Sequence, residues 1–189
     1  MKLDNVVEDH KDIELFAQAL EVRTGLTIEH SGQGRAYYQI GAHKIHMPNK
    51  ELFNSTDAYY STFLHEATHA SGKELGRDMG GMFGSKSYAF EELVAEMGSY
   101  FIGAELGLPY DPSGHENHAA YMESWLGLLK SDKNAIFRAA SGASKATDFN
   151  MGHFNEHKLE LEKSLQNDIV IAQKIEPQQV RTQKVVMSM

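Results

Sequence analysis

Residues 65–69 read His-Glu-Ala-Thr-His, an H-E-x-x-H set inside a stretch with a good helical pattern. On a helix, residues four apart share a face, so the His65 and His69 imidazoles can reach one ion. Two neutral ring nitrogens suit Zn²⁺, and a third protein ligand leaves a fourth position open for water. Glu66 points to one side of the pair, where it can deprotonate a water held by the ion. The pentapeptide therefore predicts a metal and a hydrolytic chemistry together.

A catalytic zinc needs a third ligand. The run Tyr88-Ala89-Phe90-Glu91-Glu92-Leu93-Val94-Ala95-Glu96 offers three carboxylates on a second predicted helix. Glu92 and Glu96 are four apart and share a face, near the small residues Ala89 and Ser99, which allow close approach to another helix. One of these two carboxylates can bind metal while the other holds a ligand imidazole by its second nitrogen. Glu91 reads as an ordinary solvated glutamate.

Other histidines compete for attention. His153-Phe154-Asn155-Glu156-His157 is H-x-x-E-H, the inverted arrangement. It lies in a polar stretch near the C-terminus, with little core-like sequence after it to supply a further carboxylate, so it reads as a surface pair. His43 and His46 are three apart in a predicted strand and point to opposite faces, which argues against joint chelation. Tyr110, His115, His118 and Tyr121 lie in or just after a loop that leads into a helix, and any of them could stabilise an oxyanion. His118 and Tyr121 are the catalytic candidates from that group, beside the plainer reading of polar helix-start residues and a packing tyrosine. Arg77 and Asp78, in a Gly-rich loop, read as structural or substrate-contacting.

The elements that must position these residues follow from pattern. Ile13, Phe16, Leu20 and Val22 give an amphipathic helix over 12–23 with Gly25 as its stop. Residues 31–34 read as a loop, and 36–40 and 44–47 as two strands joined by Gly41-Ala42. Asn54, Ser55 and Thr56 are all cap types ahead of a helix over 57–70. Residues 73–86 read as loop, 88–106 as a long helix ending at Gly107, and 119–129 and 132–149 as two more, with Ser131 capping the latter. A polar helix over 158–175 precedes a tail without periodic pattern.

Composition sets outer limits. A chain of 189 residues, 41% hydrophobic, can bury one sizeable core. A net charge of −8 argues against a broad nucleic-acid surface. No apolar run approaches the roughly 20 residues that span a membrane. Met1-Lys2-Leu3-Asp4-Asn5 lacks the apolar core of a secretory signal, so a cytoplasmic location is expected. With no cysteine, any zinc must be held by histidine and carboxylate.

The run from Ala58 through His69 resembles the zincin-like domain of ArdC-like antirestriction proteins and related polyvalent proteins of plasmids and phages. So do Phe83-Gly84-Ser85, the run Tyr88 to Glu96, Ala104-Glu105-Leu106-Gly107, His118-Ala119-Ala120-Tyr121, Ser124-Trp125-Leu126 and the run Asp132 to Ala140. The similarity runs from about Arg35 to Phe149. It implies an α+β fold, mainly helical, with a small antiparallel sheet beside the active-site helix. It further implies His65 and His69 as ligands and Glu66 as general base. In related gluzincins the third ligand opens an E-x-x-A-D-like run. Residues 92–96 fit that shape with Glu in place of the final acid, which assigns Glu92 to the metal and Glu96 behind a ligand.

The expected organisation is a helix and loop over 1–35, a zincin-like metallopeptidase domain over 36–150, and a C-terminal helix and flexible tail over 151–189. ArdC-like proteins usually carry a separate single-strand-DNA-binding domain. Only about 35 residues precede the match here, too few for one, so DNA binding by this chain is not expected. The expected function is zinc-dependent hydrolysis of peptide bonds in a protein or peptide substrate, in antirestriction or mobile-element biology. The alternative is a non-proteolytic antirestriction or binding protein that keeps the fold.

Overall fold

The computed structural model describes the backbone of residues 7–82, 84–109 and 118–186, and the side chains of these except 118–124 and 173–186. Two compact units divide the chain at Phe154, Met1–Phe154 and Asn155–Met189.

The first unit opens with helix α1 (Lys11–Thr24), whose Ile13, Phe16, Ala19 and Leu20 are buried. Strands β1 (Thr27–Ser31), β2 (Tyr37–Gln39) and β3 (Lys44–Pro48) follow, with a 3-10 turn at Ile40–Ala42 between the last two. Then come α2 (Thr56–Ala70), α3 (Lys86–Leu106), α4 (His118–Ser131) and α5 (Ala135–Val186). The expected α+β, mainly helical fold is therefore present.

The sheet differs from the expected antiparallel one. The hairpin of β2 and β3 is antiparallel, with Tyr37 opposite His46 and Gln39 opposite Lys44. On its other side β3 pairs in parallel with β1, from Thr27 opposite Lys44 to Ser31 opposite Pro48. The order β1-β3-β2 makes a mixed sheet of three strands among the described residues. None of the five side chains of Thr27-Ile28-Glu29-His30-Ser31 is fully buried, so β1 carries no alternation for a pattern to detect.

Helix α2 begins where the cap residues predicted. Ser55 Oγ accepts from the Ala58 amide at 3.1 Å, and Ser85 does the same for α3 from Tyr88 at 3.2 Å. One face of α2 supplies Tyr60, Phe63, Leu64 and Ala67 to a core shared with α1, β3 and the C-terminal end of α3. Phe16 meets Phe63 and Phe154 there, with centroids 6.4 and 6.1 Å apart. A second apolar cluster joins Leu93 and Val94 of α3 to Leu128 of α4 and to Ala135, Ala139 and Ala143 of α5.

Ser131 does not cap the last helix. It ends α4 and turns its hydroxyl back to the Leu128 carbonyl at 2.8 Å, while Asp132 Oδ1 accepts from the Asn134 amide at 3.0 Å. The two helices expected over 132–149 and 158–175 are one, running on to Val186. A glycine inside a helix costs only about 1 kcal/mol, so Gly152 does not break it between the buried Met151 and Phe154. The second unit is the remainder of this helix, and its described side chains from 158 to 172 are all exposed. Among the described residues, no helix is long and apolar enough to cross a membrane.

Candidate metal centre

The face of α2 opposite the core carries His65 and His69 into a cleft of about 700 Å³, which Glu66 also lines. Helix α3 forms the facing wall with Tyr88, Glu91, Glu92, Glu96 and Ser99, and β2 closes a third side with Tyr37 and Tyr38. The helices touch closely because Gly98 has no side chain. A Cβ there would stand 2.5 Å from Thr68 Cγ2.

Three donors converge. His65 Nε2 and His69 Nε2 are 3.2 Å apart. Glu92 Oε2 is 3.5 Å from the first, and Glu92 Oε1 is 3.6 Å from the second. Donors bound at about 2.0–2.1 Å around a tetrahedral ion lie roughly 3.3–3.4 Å from each other. The two ring nitrogens are already near that spacing, and each faces a different Glu92 oxygen slightly beyond it. Among the described residues, His65, His69 and Glu92 form the group of three or more such side chains that can share an ion, their donor atoms lying within 4.8 Å of one another.

Each imidazole also turns its other nitrogen to a buried carboxylate of α3. His65 Nδ1 is 3.3 Å from Glu96 Oε2, and His69 Nδ1 is 3.1 Å from Glu91 Oε1. The pairing of 65 with 96 and of 69 with 91 shows that α2 and α3 run antiparallel. Such carboxylates fix the tautomer and orientation of a ligating ring.

Glu91 therefore corrects its expected role as a solvated glutamate: it is 6% exposed and sits against His69. Pattern alone favoured Glu92 and Glu96 because they lie on one helical stripe. Glu91 is about 100° round the helix from Glu92 and reaches the same partner helix from the flank.

Electrostatics follow from this crowding. Burial opposes a charge on His65. Hydrogen bonds to Glu92 and Glu96, with the charge of Glu66 and Glu92, outweigh that and push its pKa up to about 10. Burial also works against a charged Glu92. The His65 hydrogen bond, the charges of His69 and His65 and a hydrogen bond with Tyr88 outweigh it and hold the carboxyl below its usual range.

The other histidines lie outside this cluster. His43 bonds Tyr38 at 2.8 Å through Nδ1, and His46 bonds Gln39 at 3.0 Å and stacks on Tyr37 at 4.3 Å. His153 and His157 lie on α5 without a third donor among the described residues. His118 and Tyr121 fall in the opening turns of α4, and their side chains, like all of Tyr110 and His115, lie outside the described residues. Asp78 lines the cleft, and its Oδ1 accepts from the Gly80 amide at 3.1 Å.

The sequence model of the zincin-like metallopeptidases matches residues 16–142. The chain belongs to that family. This zincin-like chain is 44% identical over 135 residues to an Escherichia coli protein named DNA primase TraC, covering 70% of this chain and 12% of that one. It is 42% identical over 127 residues to the Sinorhizobium fredii protein y4eC, covering 66% and 40%. Among solved structures, antirestriction ArdC protein from the R388 plasmid in its Mn(II)-bound form has a TM-score of 0.67 at 40% identity, over 82% of this chain and 55% of that one. Its metal-free form has a TM-score of 0.64 at 38% identity. The ArdC resemblance read from the sequence holds. The chain spans little more than half of ArdC and smaller shares of the other two.

Proposed function

We propose that this chain is a zinc-dependent, gluzincin-like peptidase that hydrolyses peptide bonds in a protein target, acting in the cytoplasm. The observation that carries the reading is the convergence of His65, His69 and Glu92 on a cleft that Glu66 also lines. A set of two imidazoles and one carboxylate, with a position left open, matches the donor set of catalytic zinc. When bound, the ion would supply Lewis acidity, polarising a carbonyl and lowering the pKa of a water toward neutrality.

The chain's own groups do the rest. Glu66 accepts a proton from the attacking water and returns it to the leaving amine. Strand β2 is an edge of the sheet beside the cleft, so an extended peptide can add its backbone there. Glu96 and Glu91 hold the two rings in register. His118 and Tyr121 are proposed as oxyanion donors, to be read as a drop in kcat without loss of metal in His118→Ala and Tyr121→Phe. The ArdC similarity supports an antirestriction or mobile-element setting.

Metal analysis and proteolysis assays test the reading. Stoichiometric zinc is expected in the purified chain, lost in His65→Ala and retained in Glu66→Gln, which should abolish cleavage. Absence of any divalent ion from wild type overturns the metal site, and Glu66→Gln cleaving at the wild-type rate overturns the mechanism. The antirestriction name of ArdC favours one further reading, a non-proteolytic antirestriction protein. It gains if Glu66→Gln keeps full antirestriction activity, and falls if that activity disappears while fold and metal remain.

A further inference from the structure

The loop after α2 returns to the metal cluster through one side chain. Arg77 Nε donates toward the two Glu91 oxygens at 3.3 and 3.1 Å, and Nη2 donates to Oε1 at 3.0 Å. Nη1 donates to Ser71 Oγ at 3.1 Å, and Nη2 also reaches the Thr68 carbonyl at 2.5 Å. One guanidinium thus joins the last turn of α2, the residue just after it and a carboxylate of α3, while that carboxylate faces His69 Nδ1 at 3.1 Å.

Physical chemistry gives this arrangement a purpose. A carboxylate as buried as Glu91 needs a countercharge and a full set of donors. The planar fork of arginine supplies both, in a geometry that lysine cannot copy. A cation is also favoured at the C-terminal end of α2, where carbonyls lack helical partners. Held this way, Glu91 keeps the His69 proton on Nδ1 and leaves Nε2 as the free donor.

The turn is built to admit the guanidinium. The Arg77 amide donates to the Gly72 carbonyl at 2.8 Å. A Cβ on Gly72 would strike Met79 Sδ and stand 3.0 Å from the His69 carbonyl oxygen and 3.1 Å from Arg77 Nη2.

We propose that Arg77 is a positioning residue of the metal site: it clamps Glu91 onto His69 and so fixes which imidazole nitrogen faces the ion. The inference rests on the metal site proposed above and is independent of proteolysis.

Zn²⁺ titration of the full chain tests it, in wild type, Arg77→Met, Glu91→Gln and the double variant, with circular dichroism to confirm folding. Each single variant should weaken Zn²⁺ binding about 10–100-fold. The double variant should bind no worse than the weaker single one, because both remove the same clamp. Nitrogen NMR of the metal-free protein should show His69 as one tautomer, protonated on Nδ1, in wild type and as a mixture in Arg77→Met.

A merely structural role would lower the melting temperature and leave both affinity and tautomer unchanged, and that result overturns the proposal. If Arg77→Met does not fold, Arg77→Lys decides. Weakened Zn²⁺ binding there supports the clamp, and wild-type affinity overturns it. Failure of wild type to bind Zn²⁺ removes the metal site as well and is thereby distinguishable.

Discussion

At the scale of the residue, His65 carries the sharpest prediction. Its pKa of about 10 lies well above the ordinary 6.5, because two carboxylates of α3 and Glu66 surround a partly buried ring. A raised imidazole stabilises the fold fully below about pH 6.5, and that contribution is lost as pH climbs toward 10. Glu92, held low, contributes in the opposite sense: its share is present above about pH 4.5 and is lost as pH falls through its lowered value. An ion entering through His65 Nε2 must displace the proton. Zn²⁺ affinity should therefore keep rising about tenfold per pH unit between pH 6.5 and 8.5, where an ordinary histidine would flatten. Competition titrations against a chelator of known pH dependence check this, and a plateau above pH 7 would contradict it.

At the scale of the element, the site depends on how closely α2 and α3 approach. The contact is made by Gly98 against Thr68, which is fully buried and pinned by a 2.8 Å hydrogen bond from its hydroxyl to the Leu64 carbonyl. Thr68 therefore has nowhere to go when a methyl group appears at 98. Gly98→Ala should cost about 1–3 kcal/mol through overpacking. Because the shift separates the histidines from Glu92, it should also weaken ion binding. Urea melts and Zn²⁺ titrations together test both effects, and a variant with wild-type stability would contradict the packing argument.

At the scale of the whole molecule, the ion should bind the folded chain alone, since the three donors come from positions 65, 69 and 92 on two helices. At an ion concentration about 100 times Kd, linkage adds about 2.7 kcal/mol. For a chain of this size that raises Tm by roughly 5–11 °C. Calorimetry with and without a chelator measures it, and no shift would mean no ion at the site. The far end of α5 should matter little to this stability, because its described side chains from 158 to 172 are all exposed. A chain ending at residue 160 should melt within about 2–3 °C of the full chain, as expected for loss of exposed side chains. A larger drop would show that the distal helix contributes to the fold.

What the sequence alone determined about this protein is local. His65 and His69 share a face because a helix repeats every 3.6 residues, and the cap residues at 54–56 announce where the helix that carries them begins. The spacing of Glu92 and Glu96 likewise put both on one stripe. Tertiary structure decided what distance along the chain conceals. It brought Glu91 to His69 across 22 positions and Arg77 to Glu91 across 14, and set a parallel β1 beside the hairpin. Those relations depend on which helices pack antiparallel and how near they come, and a small residue such as Gly98 settles that only when its partner Thr68 is in place.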